Sequence, residues 1–302
     1  MSIRKPESNL NSMLHPSEES WIICSKINQP VISSLDGEVV CEKPWLGVLL
    51  DKRDNRPLSS YVSLARPSEI YILMLLRSCV RRFGTFPKVL YIDDRELRGS
   101  QLDAAAAYLS LVLAWPSPYH PILPGGRIEH FLADLVGDRL GSSHDCSAKT
   151  KPLLLTEVRQ LIEAGLQRYA NWTLEVRESF KEESQSGNTF QQFIYNPVVE
   201  ILTLPSTPGK TIPISQPCDI MINSLRYSHP KLAAPSVVGT RVPVRYHPED
   251  ISVAYAFVNK KWIQLTGKNA PPIICSVIEF QQFMKKYRPS ERVLFASSAT
   301  LN

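Results

Sequence analysis

The spacing of apolar positions changes along the chain, and each change predicts a different kind of element. Short runs rich in Ile, Val and Leu come first, and Asp, Gly, Asn and Pro separate them. Such runs are typical of strands in an antiparallel meander. The three predicted strands are residues 20–35, 44–51 and 58–65. The polar residues 1–18 before them predict a disordered lead-in.

Helical periodicity begins after Ser68, which is a suitable N-cap for an amphipathic helix reaching residue 83. Residues 87–93 are a short apolar run that ends in acids. Because a strand that follows a helical crossover returns parallel to its sheet, we expect this strand to be parallel. The next predicted elements are a helix at 100–111, an edge strand at 112–115 and helices at 126–135 and 153–176. The pattern alone therefore predicts a mixed α/β domain.

The last third of the chain has a different character. Polar, proline-bearing residues lead into short β-rich runs separated by turns, and an amphipathic run closes the chain. Short strands with frequent turns predict a small all-β barrel followed by a C-terminal helix. The predicted divisions are a lead-in at 1–18, a core at 19–182, a linker at 183–215, a barrel at 216–272 and a helix with its tail at 273–302.

Composition limits the class of protein. The chain has 302 residues, 43% hydrophobic and 21% charged, which is typical of a soluble globular protein with two domains. No apolar run reaches the ~20 residues of a membrane span, and the N-terminus has no hydrophobic signal core. The six cysteines are scattered without a CxxC pair, which indicates reduced thiols and argues against zinc sites and disulfides. We expect a cytoplasmic protein without a membrane partner.

Charge is distributed unevenly. Residues 221–302 contain 11 basic and 4 acidic residues, a net charge of +7, whereas residues 1–220 have a net charge of −2. A basic C-terminal segment is compatible with contact to nucleic acid, although a solvated lysine-rich surface explains the charge equally well. The candidate nucleic-acid contacts are Arg127, Arg245, Lys260, Lys261, Lys285, Lys286 and Arg288.

Three stretches resemble Mu-type transposases. The run RVPVRYHPEDISVAYAFVNKKWIQL at 241–265 resembles their C-terminal β-barrel. The run KPWLGVLLDKRDNRPLSSYVSLARPSE at 43–69 is similar to the second and third strands of their integrase core. PGGRIEHFLADL at 124–135 is similar to the helix that bears the last catalytic acid. The resemblance implies a ribonuclease H-like core with a mixed five-stranded sheet, followed by the barrel.

The resemblance also implies a chemistry. The family joins DNA with two Asp and one Glu, which hold two Mg²⁺ ions that activate the nucleophile and stabilise the leaving oxygen. Glu129 matches the helix acid, and Asp93 matches the second acid, although Asp94 is an alternative. The first strand reads WIICSK, so that Cys24 stands in place of the first Asp and Lys26 in place of a Thr. A thiol is a poor ligand for Mg²⁺.

Three hypotheses follow. The first is a degenerate transposase-like protein that binds DNA or a transpososome, needs no metal and lacks the N-terminal DNA-reading domains of the family. The second is an active strand transferase that uses Mg²⁺, or Mn²⁺, with Asp93, Glu129 and an unrecognised third acid, for which Asp36 and Asp51 are the first residues to test. The third is a structural subunit that assembles with an intact transposase, accessory proteins or a second copy of itself.

Overall fold

A computed structural model describes residues 17–114, 151–179 and 197–286, apart from positions 28, 42, 54, 93–94, 208, 210, 269 and 272–273. The N-terminal part contains strands β1 (Glu19–Lys26), β2 (Val31–Ile32), β3 (Val39–Cys41), β4 (Trp45–Asp51), β5 (Pro57–Ser63), β6 (Val89–Ile92), β7 (Val112–Ala114) and β8 (Leu153–Leu154). Its helices are α1 (Glu69–Phe83), α2 (Ser100–Leu109), α3 (Leu155–Ser179) and α4 (Pro197–Leu202). None of the helices described here or below is long and apolar enough to cross a membrane.

The central sheet has five strands in the order β5-β4-β1-β6-β7. Strand β4 pairs antiparallel with both β1 and β5, whereas β6 runs parallel to β1 and to β7. Three antiparallel strands followed by two parallel crossover strands are the arrangement expected of a ribonuclease H-like core. The predicted fold class is therefore confirmed, as is the parallel direction of β6.

Helices cover both faces of this sheet. Helix α1 begins where the Ser68 hydroxyl accepts from the Ile70 N–H at 3.4 Å, and it ends at Gly84 with φ of 70°. One face of α1 is fully buried on the sheet beside Ile22. On the opposite face, Val158 and Ile162 of α3 pack at helical spacing against β4 and β5. Two apolar layers thus hold β1 and β4 in the centre of the domain.

The predicted strand at 20–35 is divided in the structure. Strand β1 ends at Lys26, and β2 joins a separate small sheet in the order β3-β2-β8. Pro30 has no N–H to donate, and the buried Gln29 side chain donates to the carbonyl of Lys151 at 2.8 Å. The chain leaves the central sheet here because β2 pairs in parallel with β8, which is distant in sequence.

The C-terminal part contains β9 (Thr211–Pro213), β10 (Asp219–Ile222), β11 (Leu225–Ser228), β12 (Arg241–Tyr246), β13 (Val253–Val258), β14 (Lys261–Gly267) and α5 (Val277–Lys286). Its sheet has the antiparallel order β10-β11-β14-β13-β12-β9. The pairing of Ser215 with Asp219 brings the two edges together, so that the sheet nearly closes into a barrel. The predicted barrel and C-terminal helix are both present.

Buried polar contacts fasten the barrel to the core. The Tyr61 hydroxyl on β5 donates to Glu249 Oε1 at 2.5 Å, and the guanidinium of Arg159 on α3 pairs with the same carboxylate. At a second point, the buried Glu279 of α5 accepts from the N–H of Ser34 at 3.2 Å. Because Glu249 and Glu279 are 7% and 3% exposed, these bonds are shielded from water and fix the barrel against the core.

Candidate functional site

Cys24 lies in the middle of the central sheet. It pairs with Gly47 of β4 and is half-buried against the apolar cluster beneath α1. The space over Gly47 is filled by Tyr71, whose Cδ1 would lie 3.0 Å from a Cβ added to the glycine. Burial raises the pKa of Tyr71, and its hydroxyl donates to the carbonyl of Ala65 at 2.9 Å. The position expected of the first catalytic acid is therefore a thiol in a packed, largely apolar setting.

Lys26 adds a positive charge to the same side of β1. Residues two apart in a strand share one face, so Lys26 and Cys24 point the same way. The Lys26 ammonium lies 5.1 Å from the centroid of the Trp45 ring, and the two residues are direct partners in the ladder. The cation–π contact holds the ammonium on this face. A cation placed beside Cys24 would meet a fixed positive charge instead of a carboxylate.

The end of β6 comes close to this position. Ile92, the last residue of β6, is level with Ile22 of β1, two residues before Cys24. The predicted acids Asp93, Asp94 and Glu129, together with Arg127 and Arg288, lie outside the described residues. Their roles stay predictions.

Asp51 has a structural role and is not free to hold a metal. It is fully buried, and its Oδ2 accepts from the Ser17 N–H at 2.7 Å while its Oδ1 accepts from the Arg53 N–H at 2.9 Å. The buried guanidinium of Arg56 lies 3.9 Å from the same carboxylate. Asp51 also pairs with Ser20, four residues or about 13 Å along the ladder from the partner of Cys24.

Asp36 is engaged elsewhere as well. It lies in the turn between β2 and β3, where its Oδ2 is 3.3 Å from the ammonium of Lys286 on α5. Burial acts to raise the pKa of Asp36, but the hydrogen bond from the Glu38 N–H and the charge of Lys286 outweigh it, so that the pKa is lowered. The carboxylate therefore serves as an anchor for α5.

A metal site is not found in the described part of the chain. Within residues 17–114, 151–179 and 197–286, no three side chains of His, Cys, Asp or Glu come together in a way that could hold an ion. The half-buried thiol and the neighbouring ammonium do not fit Mg²⁺, which prefers carboxylate oxygens and retained water.

The predicted nucleic-acid contacts differ in accessibility. Lys260 and Lys261 are exposed at the turn between β13 and β14, and Lys285 is exposed on α5. Lys286 is exposed as well but pairs with Asp36. Arg245 is half-buried, donates to the Leu204 carbonyl at 2.6 Å, and has a pKa lowered by burial. The exposed lysines are thus better placed for phosphate contact than Arg245.

Sequence reasoning missed the polar contacts between core and barrel. The sequence pattern places Tyr61 in a strand and Arg159 in a helix, and it gives Glu249 no role. Burial lowers the pKa of Arg159. The sequence did contain one sign of this contact. Glu249, in the motif PED, interrupts the run of residues predicted to form the barrel, and the strand pattern around it gives this acid no partner. Its partner on α3 could not be identified without the tertiary structure.

Comparison with known proteins adds a family for the barrel. The family described as "Mu transposase, C-terminal" matches residues 208–264, which confirms the resemblance for that segment. No curated protein sequence matches the chain.

Solved structures of integrases are similar to this chain. The catalytic core domain of BIV integrase is 13% identical over 49% of this chain and 80% of that chain, with a TM-score of 0.33. The HTLV-2 integrase catalytic core domain in complex with magnesium is 11% identical over 50% of this chain and 84% of that chain, with a TM-score of 0.34. A simian T-cell lymphotropic virus intasome in complex with PP2A regulatory subunit B56 gamma is 13% identical, covering 84% of this chain and 77% of that chain, with a TM-score of 0.37. The fold assignment itself rests on the strand order.

Proposed function

We propose that this chain is a transposase-like DNA-binding protein that has lost Mg²⁺-dependent strand transfer. The observation that carries the proposal is the position of Cys24 and Lys26 on one face of β1, where the fold expects a metal-binding carboxylate. The ribonuclease H-like strand order and the Mu transposase match at residues 208–264 give the class of ancestor.

The loss of activity follows from charge. Two-metal phosphoryl transfer needs several carboxylates, since two divalent ions must be held a few ångströms apart beside a phosphodiester. Replacing one carboxylate with a thiol removes a negative charge, and a fixed ammonium two residues away adds a positive one. The alternative acids Asp51 and Asp36 are both engaged by other partners. Neither of these two acids is therefore open to replace the missing ligand.

Retained DNA binding is supported by the barrel. The net charge of +7 over residues 221–302 is carried partly by exposed lysines at the β13–β14 turn and on α5. Lysines suit contact with backbone phosphates, which gives sequence-independent and salt-sensitive binding. We infer weak binding to duplex DNA without recognition of a particular sequence.

The test is strand transfer on pre-cut DNA ends, which bypasses end recognition. The unmodified protein should show no joining or nicking in Mg²⁺, whereas Cys24→Asp/Lys26→Thr should bind Mg²⁺ if the rest of the site is intact. Isothermal titration with Mg²⁺ alone measures that gain, and Cys24→Asp/Lys26→Thr/Glu129→Ala is the matched control. Robust Mg²⁺-dependent joining by the unmodified protein, abolished by Glu129→Ala, would instead establish the active transferase that uses Asp93, Glu129 and a third acid.

A further inference from the structure

A cleft of about 550 Å³ lies where the core meets the barrel. Strand β5 forms one wall, α1 and α3 form two others, and the segment after β12 closes the fourth side. Four arginines from the two helices line it, namely Arg77, Arg81, Arg82 and Arg159. The cleft lies at the β5 edge of the sheet, three strands from β6, and so it is separate from the predicted catalytic position.

The guanidinium groups are held in place by neighbouring side chains. Arg81 pairs through Nε with Glu200 of α4 and stays 53% exposed. Arg82 Nη2 donates to Gln167 Oε1 on α3 at 2.9 Å, and Cζ of Arg82 lies 5.2 Å from the centroid of the Phe83 ring. Arginines anchored in this way lose little conformational freedom on binding, and their planar forks match the oxygens of a phosphate.

Four arginines in and around the cleft face three carboxylates, those of Glu163 and Glu249 in its lining and that of Glu200, which pairs with Arg77 and Arg81. His247 lines the cleft, and burial together with the charges of Arg77, Arg81 and Arg159 lowers its pKa to about 4. The imidazole is therefore neutral near pH 7 and adds no charge to the cleft. Glu249 is paired with Arg159, and Arg77 is buried, so the exposed guanidinium groups of Arg81 and Arg82 are the cations that a phosphate in the cleft can reach.

We propose that this cleft is a second DNA-binding surface, in which Arg81 and Arg82 contact backbone phosphates of a strand lying along the seam between core and barrel. The inference rests on the proposed DNA-binding function and adds a contact surface on the core itself. The cleft is lined by both parts of the chain, so DNA held there also contacts the barrel. The partly exposed serines Ser60 on β5 and Ser78 on α1 also line the cleft and add neutral hydroxyls beside the arginines.

The experiment measures binding of the full chain to a fluorescein-labelled blunt DNA duplex by anisotropy over a series of salt concentrations. Arg81→Gln/Arg82→Gln should weaken binding and reduce the slope of log K against log salt by about 0.9 for each phosphate that the variant no longer neutralises. The matched control is Arg66→Gln/Arg98→Gln, which removes the same charge from two exposed ion pairs outside the cleft, and its slope should stay at the wild-type value.

The Gln167→Glu variant distinguishes a loss of DNA binding from a loss of folding stability. It would place a carboxylate against Arg82 and add an ion pair, so DNA binding should weaken while the unfolding temperature stays the same or rises. The charge-preserving Arg81→Lys/Arg82→Lys should keep the wild-type slope.

Other outcomes contradict the inference in distinguishable ways. If Arg81→Gln/Arg82→Gln bound DNA with the affinity and the salt slope of the wild type, the cleft would not be a DNA-binding surface. The proposed function would still stand. Absence of DNA binding by the wild type would overturn both. A third outcome combines two results: pyrophosphate at matched ionic strength raises the unfolding temperature of the wild type, and the variant keeps the wild-type slope of log K against log salt for DNA. The cleft would then be a site for small anions, and the inference would be wrong.

Discussion

The two ends of the β1–β4 ladder have opposite chemistry. At one end Asp51 is fully buried and saturated with N–H and guanidinium donors. At the other end Cys24 and Lys26 share one face, and the resemblance to Mu-type transposases predicts a metal-binding carboxylate at the position of Cys24. The difference shows that the carboxylate of this ladder was kept where it stabilises the fold, and that no carboxylate stands at the other end, where a metal would need one.

The largest expected effect on the free energy of unfolding is that of a substitution at Asp51. Asp51→Ala would leave Arg56 buried without its carboxylate partner, so we expect a loss of about 3–5 kcal/mol in the free energy of unfolding. Urea unfolding followed by circular dichroism measures it. Asp103→Ala, which removes an acid from an exposed pair with Arg98, is the control and should cost less than about 1 kcal/mol. Equal losses in the two variants would show that burial of the Asp51 carboxylate adds nothing to its contribution to stability.

An intermediate effect is expected at Gly47, the ladder partner of Cys24. A methyl group at Gly47 would lie 3.0 Å from Cδ1 of the buried Tyr71, so Gly47→Ala should destabilise by about 1–3 kcal/mol. The same unfolding assay applies, with Ser25→Ala on the neighbouring strand as the control. A neutral Gly47→Ala would show that the packing over Cys24 is loose enough to admit a larger group, which would weaken the case against a ligand there.

The smallest effect is expected at Lys26. The ammonium is exposed and is held by the face of Trp45, so Lys26→Gln should cost about 0.5 kcal/mol in the free energy of unfolding. Trp45→Leu combined with Lys26→Gln completes a double-mutant cycle that isolates the pair. A loss above about 2 kcal/mol for Lys26→Gln would be inconsistent with an exposed contact. It would show that Lys26, like Asp51, contributes mainly to the stability of the fold.

Local patterns predicted much of the fold. Ser68 located the start of α1 because an N-cap is a property of neighbouring residues, and the crossover rule gave the direction of β6. The break near Pro30 was missed because β2 pairs with β8, more than a hundred residues later. A proline inside a strand run favours a break, but the alternative partner is visible only in the folded chain.

The candidate site was predictable only as a position. The motif WIICSK already showed that Cys24 stands where the family has its first Asp. The structure adds that Cys24 is paired with Gly47 of β4. The role of Asp51 could not be predicted, since its donors come from Ser17 and Arg56 on separate segments. Arg245 was predicted as a phosphate contact from its charge, yet its guanidinium donates to Leu204. Charge is a sequence property, whereas its partners are set by tertiary packing.

The contact between Ser34 and Glu279 has a consequence for synthesis of the chain. Ser34 lies in the turn after β2, and its N–H and hydroxyl both donate to a carboxylate 245 residues later. During translation the hairpin after β1 must wait with these donors facing water until α5 has left the ribosome. Until then the part of this turn that α5 covers stays open. The turn between β2 and β3 therefore gains this buried partner only at the last stage of folding.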